Sequence, residues 1–525
     1  MRSATQYKKS ISLGLAILFF IPTNSYAITP MSYEESLRIS TPADLSTVEG
    51  NCPNKQPGWV IKENKKAGIP GDLKQWRKIN YSSPRGSALW INKSSATCGD
   101  SIQVFASKYN ASRIDKSKRS ISVIRLGWYN GKGGHEYWST KKFLLKEQKV
   151  PETTGLLRTV ETKWNPTAAF TIGKDWTPGF YLVVTKNRKD KIEAIAPLIV
   201  RSKLHDSTLA LMHSTLTWQA YNNFGGYSLY RGLGDSDEAR INNRSRTVSF
   251  DRPYAGSGAV HINRDAIALT QFIEKQGFDV DHYADTDIDA QPSLLKSYSG
   301  VFFGGHPEYA TRRIYEATFA ARNSGVNLAF FSANSFYWQA RVSSSTIGAS
   351  RQVSVFRDEK EDPEQVEYFK TVRWQSNALY LPPNLLTSGL TSGVHVGGAL
   401  ISRDVPSWLK IDTSTLLGPW GFENESEATY EGSTHPANTR IILAGEFKKG
   451  GQSNEDTSTV RVESSWYKTS TNAAVFNGGL SLWSCEILES CVNSNFDDLT
   501  RIKLQSITLQ VLSLWKIRGV AASLS

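Results

Sequence analysis

Between residues 101 and 201 the chain sets short apolar runs against turn-forming stretches, in the cadence of β-strands. The runs are Ser101–Ser107, Ser120–Tyr129, Phe170–Ile172, Gly179–Lys186 and Ile192–Arg201, with Asn130-Gly131-Lys132-Gly133-Gly134 as turn chemistry between two of them. Regular short strands with such punctuation predict a β-sandwich over 101–205. No helical pattern follows the glycines at 131, 133 and 134, so they are turn residues and not a nucleotide-binding loop.

From about Asp206 the period changes to strand–helix–strand. Leu209–His213, Asp279–Tyr283, Gly300–Phe303, Asn327–Phe331, Ile441–Ala444 and Ala473–Phe476 read as strands, most of them as buried apolar runs. Asn263 is placed to cap a helix whose apolar positions Ala266, Leu269, Phe272 and Ile273 share one face, with Gly277 ending it. Further helices are predicted over Arg312–Asn323, stopped by Gly325, and over Asp498–Trp515. The stretch 340–440 reads as loop-rich with short strands, and residues 28–100 as an irregular N-terminal segment. The alternation predicts a parallel sheet covered by helices over 206–525, resembling the class I glutamine-amidotransferase-like, flavodoxin-like fold.

The ends of the chain add a compartment. Arg2, Lys8 and Lys9 precede the apolar run Ile11–Ile21, and Ser25-Tyr26-Ala27 has the small residues of a cleavage site. The run falls short of the about 20 apolar residues a spanning helix needs. Residues 1–27 are therefore expected to be a cleaved signal peptide, and the mature protein to be secreted or periplasmic with no membrane association. Four cysteines suit that setting, and proximity pairs Cys52 with Cys98 and Cys485 with Cys491. The net charge of +12 is dispersed; its one cluster, Lys186, Arg188, Lys189 and Lys191, lies between two apolar runs and reads as a solvated hairpin turn. With no recognition motif beside it, nucleic acid is not an expected partner.

Ligands in open α/β sheets bind beyond the carboxyl ends of the strands. Three polar loops fall there: Ser214 to Gly226, Gly304-Gly305-His306-Pro307-Glu308-Tyr309, and Ser332 to Trp338. On residues alone, Glu308 is either a base or metal ligand, or an acidic cap for the helix that follows, and Tyr221 reads first as a core tyrosine.

The order of these segments narrows the choice. Thr217-Trp218-Gln219-Ala220-Tyr221-Asn222 with Gly225-Gly226, then Gly305-His306-Pro307-Glu308-Tyr309, Asn334-Ser335-Phe336-Tyr337-Trp338, and Ala473 to Gly479 with Trp483 together resemble the C-terminal catalytic region of the N,N-dimethylformamidase large (beta) subunit family. The resemblance covers about Leu209 to the C-terminus, with a weaker echo before it. It implies a mononuclear ferric iron held by two tyrosines and a glutamate, which map onto Tyr221, Glu308 and, in Pro178-Gly179-Phe180-Tyr181, onto Tyr181. It also implies catalytic roles for His306, Asn334 and Glu446, with Glu446 as general base. Phenolates and carboxylates are hard oxygen donors suited to such a cation. The expected activity is hydrolysis of the C–N bond of a small-molecule amide, with a small partner subunit or a homo-oligomer as the implied assembly. One departure is Ala310, where family members commonly carry tryptophan, a swap expected to reshape the pocket. The alternative reading is a non-catalytic or glycan-binding secreted protein, with the 15 tryptophans lining a sugar groove.

Overall fold

The computed structural model describes residues 55–70, 76, 84–112, 115–150, 152–153, 155–203, 205–412, 417–426, 435–449, 459–489 and 496–524. The expected leader lies outside them. So do Cys52 and Cys491, the partners expected for Cys98 and Cys485, neither of which is a free thiol.

Sheet structure comes first along the chain. A short helix α1 (Trp59–Glu63) precedes β1 (Gly86–Ile91), β2 (Ser95–Thr97), β3 (Ser101–Tyr109), β4 (Ser120–Leu126), β5 (Gly134–Ser139), β6 (Ala168–Thr171), β7 (Gly179–Lys186) and β8 (Ile192–Arg201). Two sheets result, ordered β1-β3-β6 and β2-β8-β7-β4-β5. Leu89, Val104, Val123 and Val183 belong to one apolar cluster shared by the two sheets. The segment expected to be irregular thus supplies β1 and β2. Their runs are short, and Gly86-Ser87-Ala88 blunts the apolar pattern of the first. The basic cluster does sit at the β7–β8 hairpin, closed by Asn187 N donating to Lys191 O at 2.9 Å.

The second half alternates. In order come β9 (Leu209–His213), α2 (Thr215–Tyr221), α3 (Asp237–Asn242), β10 (Thr247–Ser249), α4 (Gly256–Ile262), α5 (Ala268–Lys275), β11 (Asp281–Ala284), α6 (Asp285–Ala290), β12 (Gly300–Gly305), β13 (Tyr309–Thr311), α7 (Arg312–Asn323), β14 (Asn327–Ser332), β15 (Trp338–Ser343) and β16 (Gln352–Ser354). They are followed by α8 (Asn384–Thr387), β17 (Leu390–Ser402), β18 (Leu417–Ser426), β19 (Arg440–Lys449), β20 (Thr459–Lys468), β21 (Ala474–Asn477), α9 (Trp483–Glu486) and α10 (Asp498–Trp515). Five strands run parallel in the order β11-β9-β12-β14-β21. Beyond β21 the sheet continues antiparallel through β20, β18, β17 and β19.

Side chains of the parallel strands alternate with period two. Leu209, Leu211, Phe302, Phe331 and Phe476 join α5 and α10 in one core. Ala210, Met212, Val301, Phe303 and Phe330 join α2 and α7 in another. Helices α7 and α10 occupy the ranges their periodicity predicts. Two expectations are overturned. The stretch 340–440 holds the long strands β17 and β18, whose pattern is broken by Gly393, Gly397 and Gly398 and by register shifts. The helix expected to start at Asn263 begins at Gly256; Asn263 has a helical φ of −64° and opens a π-helical stretch, Asn263–Ile267, between α4 and α5. No helix among the described residues is long and apolar enough to cross a membrane.

The outer face of the five-stranded sheet, including Ile124, Phe180 and Ile199, packs on Ile262 and Ile267 of the long helix. Set into that apolar seam is a buried ion pair. Arg125 of β4 gives Nη2 to Glu274 Oε1 at 2.5 Å and Nη1 to Oε2 at 3.0 Å, and also donates to the Pro178 carbonyl. Asn64 Nδ2 donates to the same carboxylate at 3.1 Å. Beside it, burial would raise the Glu63 carboxyl, but the Arg125 charge and hydrogen bonds from Lys66, Thr177 and Tyr129 hold it at about 2. Removing one member of such a pair strands the other charge in a dry seam. Arg125→Met is expected to lower unfolding free energy by about 3–5 kcal/mol, read from urea melts against wild type.

Candidate metal centre

The carboxyl ends of β9 and β12 are adjacent, and both lead into the cluster. β9 ends at His213, and α2 follows with Tyr221 as its last residue. The start of α2 is fixed by Asp285, which accepts from Leu216 N at 2.9 Å and from the Thr215 hydroxyl. β12 ends at Gly305 with φ of +68°, and His306, Pro307 and Glu308 follow. The turn is held from two sides. Thr217 Oγ1 accepts from Glu308 N and Tyr309 N at 3.2 and 3.3 Å, while Phe336 N donates to Pro307 O and Tyr337 N to Glu308 O, both at 2.8 Å. Asn334 and Phe336 have φ of 55°. For a bulky residue such as Phe336 that conformation is strained, and strain of this kind gathers at functional sites.

Four of the six site residues expected from sequence come together: Tyr221, His306, Glu308 and Asn334. The other two do not. Tyr181 is fully buried on β7, donates its hydroxyl to Thr177 O at 2.5 Å, and stacks on Trp176 within the sheet core. A different tyrosine, Tyr230, joins the group. Its hydroxyl donates to Glu308 Oε1 at 2.5 Å and lies 2.8 Å from the Tyr221 hydroxyl, and the two rings stack at 4.3 Å. Glu446 is exposed on β19, opposite Arg461 of β20, so it faces solvent rather than the cluster. The capping alternative for Glu308 also falls, because Thr311 caps α7 by accepting from Ile314 N. Ala310 is fully buried on β13, inside an apolar cluster.

Around the three oxygens lie groups the sequence did not single out. The Tyr309 hydroxyl donates to Tyr230 at 3.0 Å and accepts from Arg357 Nη2 at 2.7 Å; the Arg357 guanidinium sits over the Tyr230 ring at 4.0 Å. On the far side Arg264 joins two imidazoles. Its Nη2 is 2.6 Å from His261 Nδ1 and 3.2 Å from His306 Nδ1, and its Nε donates to Asp265 Oδ1 at 2.8 Å. A guanidinium can only donate, so His306 Nδ1 accepts where the two meet. The His306 Nε2 lies 3.6 Å from Glu308 Oε2 and 2.9 Å from Asn334 Nδ2. The π-helical stretch places Arg264 and Asp265 here, a use such bulges commonly have. Spacing could have shown part of this, since His261, Arg264 and Asp265 stand at i, i+3 and i+4. Tyr230 lies in an aperiodic loop and gave no such sign.

The described residues contain no group of three His, Cys, Asp or Glu able to hold a metal. A centre here must rest on phenolic oxygen, and the donor set fits one. Adjacent ligands of an octahedral cation with bonds of about 2.0–2.1 Å stand about 2.9 Å apart, close to the 2.5 and 2.8 Å seen among Glu308, Tyr230 and Tyr221. Burial, and then the neighbouring Glu308 carboxylate, push the Tyr230 hydroxyl well above its ordinary value. A phenol so placed keeps its proton unless a cation displaces it.

Gly305 sets how close this turn can come to the helix. A methyl group there would meet Asp265 Cβ at 2.2 Å in a left-handed backbone. Gly305→Ala is expected to cost at least about 2 kcal/mol through strain and overpacking, measured by urea denaturation.

No curated protein matches the chain. The profile described as N,N-dimethylformamidase beta subunit-like, C-terminal, matches residues 120–495, a span that contains every residue of the cluster. By that match the chain belongs to the N,N-dimethylformamidase beta subunit-like family.

Proposed function

We propose that this protein is an exported, iron-dependent hydrolase of the C–N bond of small amides, with Tyr221, Tyr230 and Glu308 as the metal's protein ligands. The observation that carries the reading is the convergence of those three oxygens within hydrogen-bonding distance. The parallel order β11-β9-β12-β14-β21, counted along the chain as 2-1-3-4-5, supports a flavodoxin-type sheet. The cluster then lies at the switch point between β9 and β12, where such sheets bind ligands. The two sheets before it support the sandwich reading.

When bound, a ferric ion supplies Lewis-acid polarisation of the amide carbonyl. The chain's own groups do the rest. His306 Nε2, 3.6 Å from Glu308 Oε2, is placed to hydrogen-bond a water or a developing oxyanion on the carboxylate side of the site. Arg264 holds that ring at Nδ1, and Asn334 holds it at Nε2. Arg357, over the Tyr230 ring and bonded to Tyr309, favours negative charge on the phenolic oxygens. Glu446, exposed on β19, has no part in this scheme. The family's description as a beta subunit supports a partner subunit for this chain too.

Metal analysis of the purified protein is expected to find about one iron per chain, with a visible tyrosinate charge-transfer band. Tyr230→Phe should bleach or shift that band and cut small-amide hydrolysis by more than about a hundredfold, whereas Tyr181→Phe should leave the band in place. A colourless, iron-free protein whose amidase activity survives chelation would sink the proposal. Export is tested separately: N-terminal sequencing of protein secreted by its host should begin at Ile28, and a chain beginning at Met1 would overturn the leader.

A further inference from the structure

Away from the metal centre, a cleft of about 270 Å³ opens where the β1–β2 turn, the end of β8, helix α6 and residues 347–351 meet. Arg201, the last residue of β8, lines it and is only 8 % exposed. Its guanidinium makes no hydrogen bond to any described residue. Nε is shielded from solvent without a partner, and the nearest carboxylate oxygen, Asp287 Oδ1, stands 3.4 Å away in poor alignment. Asp287 is already engaged through Oδ2, which accepts from Ser95 Oγ at 2.6 Å and Ala284 N at 2.8 Å. The other two cations of the cleft are likewise committed. Lys93 pairs with Asp100 at 2.7 Å, and Arg351 gives Nε to Asp251 and Nη2 to the Ile91 carbonyl, both at 2.8 Å.

A buried guanidinium thus lines an open cleft with no hydrogen bond to a described residue and only a 3.4 Å ion pair to Asp287. Leaving such donors unmatched is costly, and the fork fits two oxygens of one carboxylate or phosphate. Asp287, beside it, offsets part of the charge and so limits the occupant to a small ion with few charges. The volume sits just below the range of about 300–1,000 Å³ typical of drug-sized ligands. We infer that this cleft binds a small oxyanion, a carboxylate or a phosphate, through Arg201. The site is separate from the iron ligands and does not rest on their assignment.

Titration calorimetry on the full protein, with sodium acetate, succinate and inorganic phosphate as probes in chloride buffer, tests this. At least one probe is expected to bind with a millimolar or tighter Kd. Arg201→Gln should weaken it about tenfold or more, and Arg201→Lys, which keeps the charge but loses the fork, by several-fold. Gly348 lines the same cleft, and a side chain added there meets nothing within 4 Å. Gly348→Trp should therefore block the cleft with Arg201 untouched, which decides the matter if an Arg201 variant fails to fold. Binding of phosphate alone, or of carboxylates alone, supports the site and identifies the oxyanion. No binding of any probe, or affinities unchanged in Gly348→Trp and in every folded Arg201 variant, would overturn it.

Discussion

The site depends on how closely two backbones approach. β12 must end in a residue that turns left-handed while lying against Asp265, and Gly305 alone among the twenty side chains meets both demands without displacing something. Because that contact is short, the His306 ring reaches Arg264 and stacks at 5.3 Å on His261 of the long helix. Because Pro307 stiffens the next step, Glu308 is delivered to the phenols of α2 and the loop after it. Ser484 secures the arrangement from below, accepting from Gly305 N at 2.8 Å and donating to Phe331 O at 3.0 Å.

What was legible in the sequence is what strand ends make legible. The polar loops that hold His306, Glu308, Asn334 and Tyr221 are legible as strand ends; the roles of those residues rest on the family resemblance, since alone Glu308 leaves two readings open and Tyr221 reads first as core. The same logic gave β7, β8, β9, α7 and α10 their bounds. It failed where pattern and environment part. Asn263 has the side chain of a helix cap, yet the helix runs through it, because the π-helical stretch leaves no break in hydrogen bonding for a cap to repair. β17 is long but glycine-rich, and its alternation is lost at its bulges.

Tyr181 and Tyr230 show the limit most clearly. The family resemblance maps the second tyrosine onto Tyr181 through the short Pro178-Gly179-Phe180-Tyr181 match and offers nothing at Tyr230. Only three-dimensional packing separates them: Tyr181 spends its hydroxyl on its own strand's approach and its ring on Trp176, whereas Tyr230 folds back over Tyr221. Of the groups that surround the oxygens, Tyr309 closes the His306-Pro307-Glu308 run, while Arg264 and Arg357 come from segments outside the motifs. They became visible once the fold had gathered them.

The salt link between Arg125 and Glu274 has a consequence for what counts as a unit in this protein. Its two members belong to different architectural layers, yet the span shared with the family opens at residue 120, the first position of β4, and so carries both of them. β1 and β3 of the neighbouring sheet, and β2 at the edge of the sheet that holds β4, fall outside that span. The matched span thus cuts through the paired sheets instead of between layers, and a fragment trimmed to the parallel sheet alone would carry an acid whose counter-charge had been left behind.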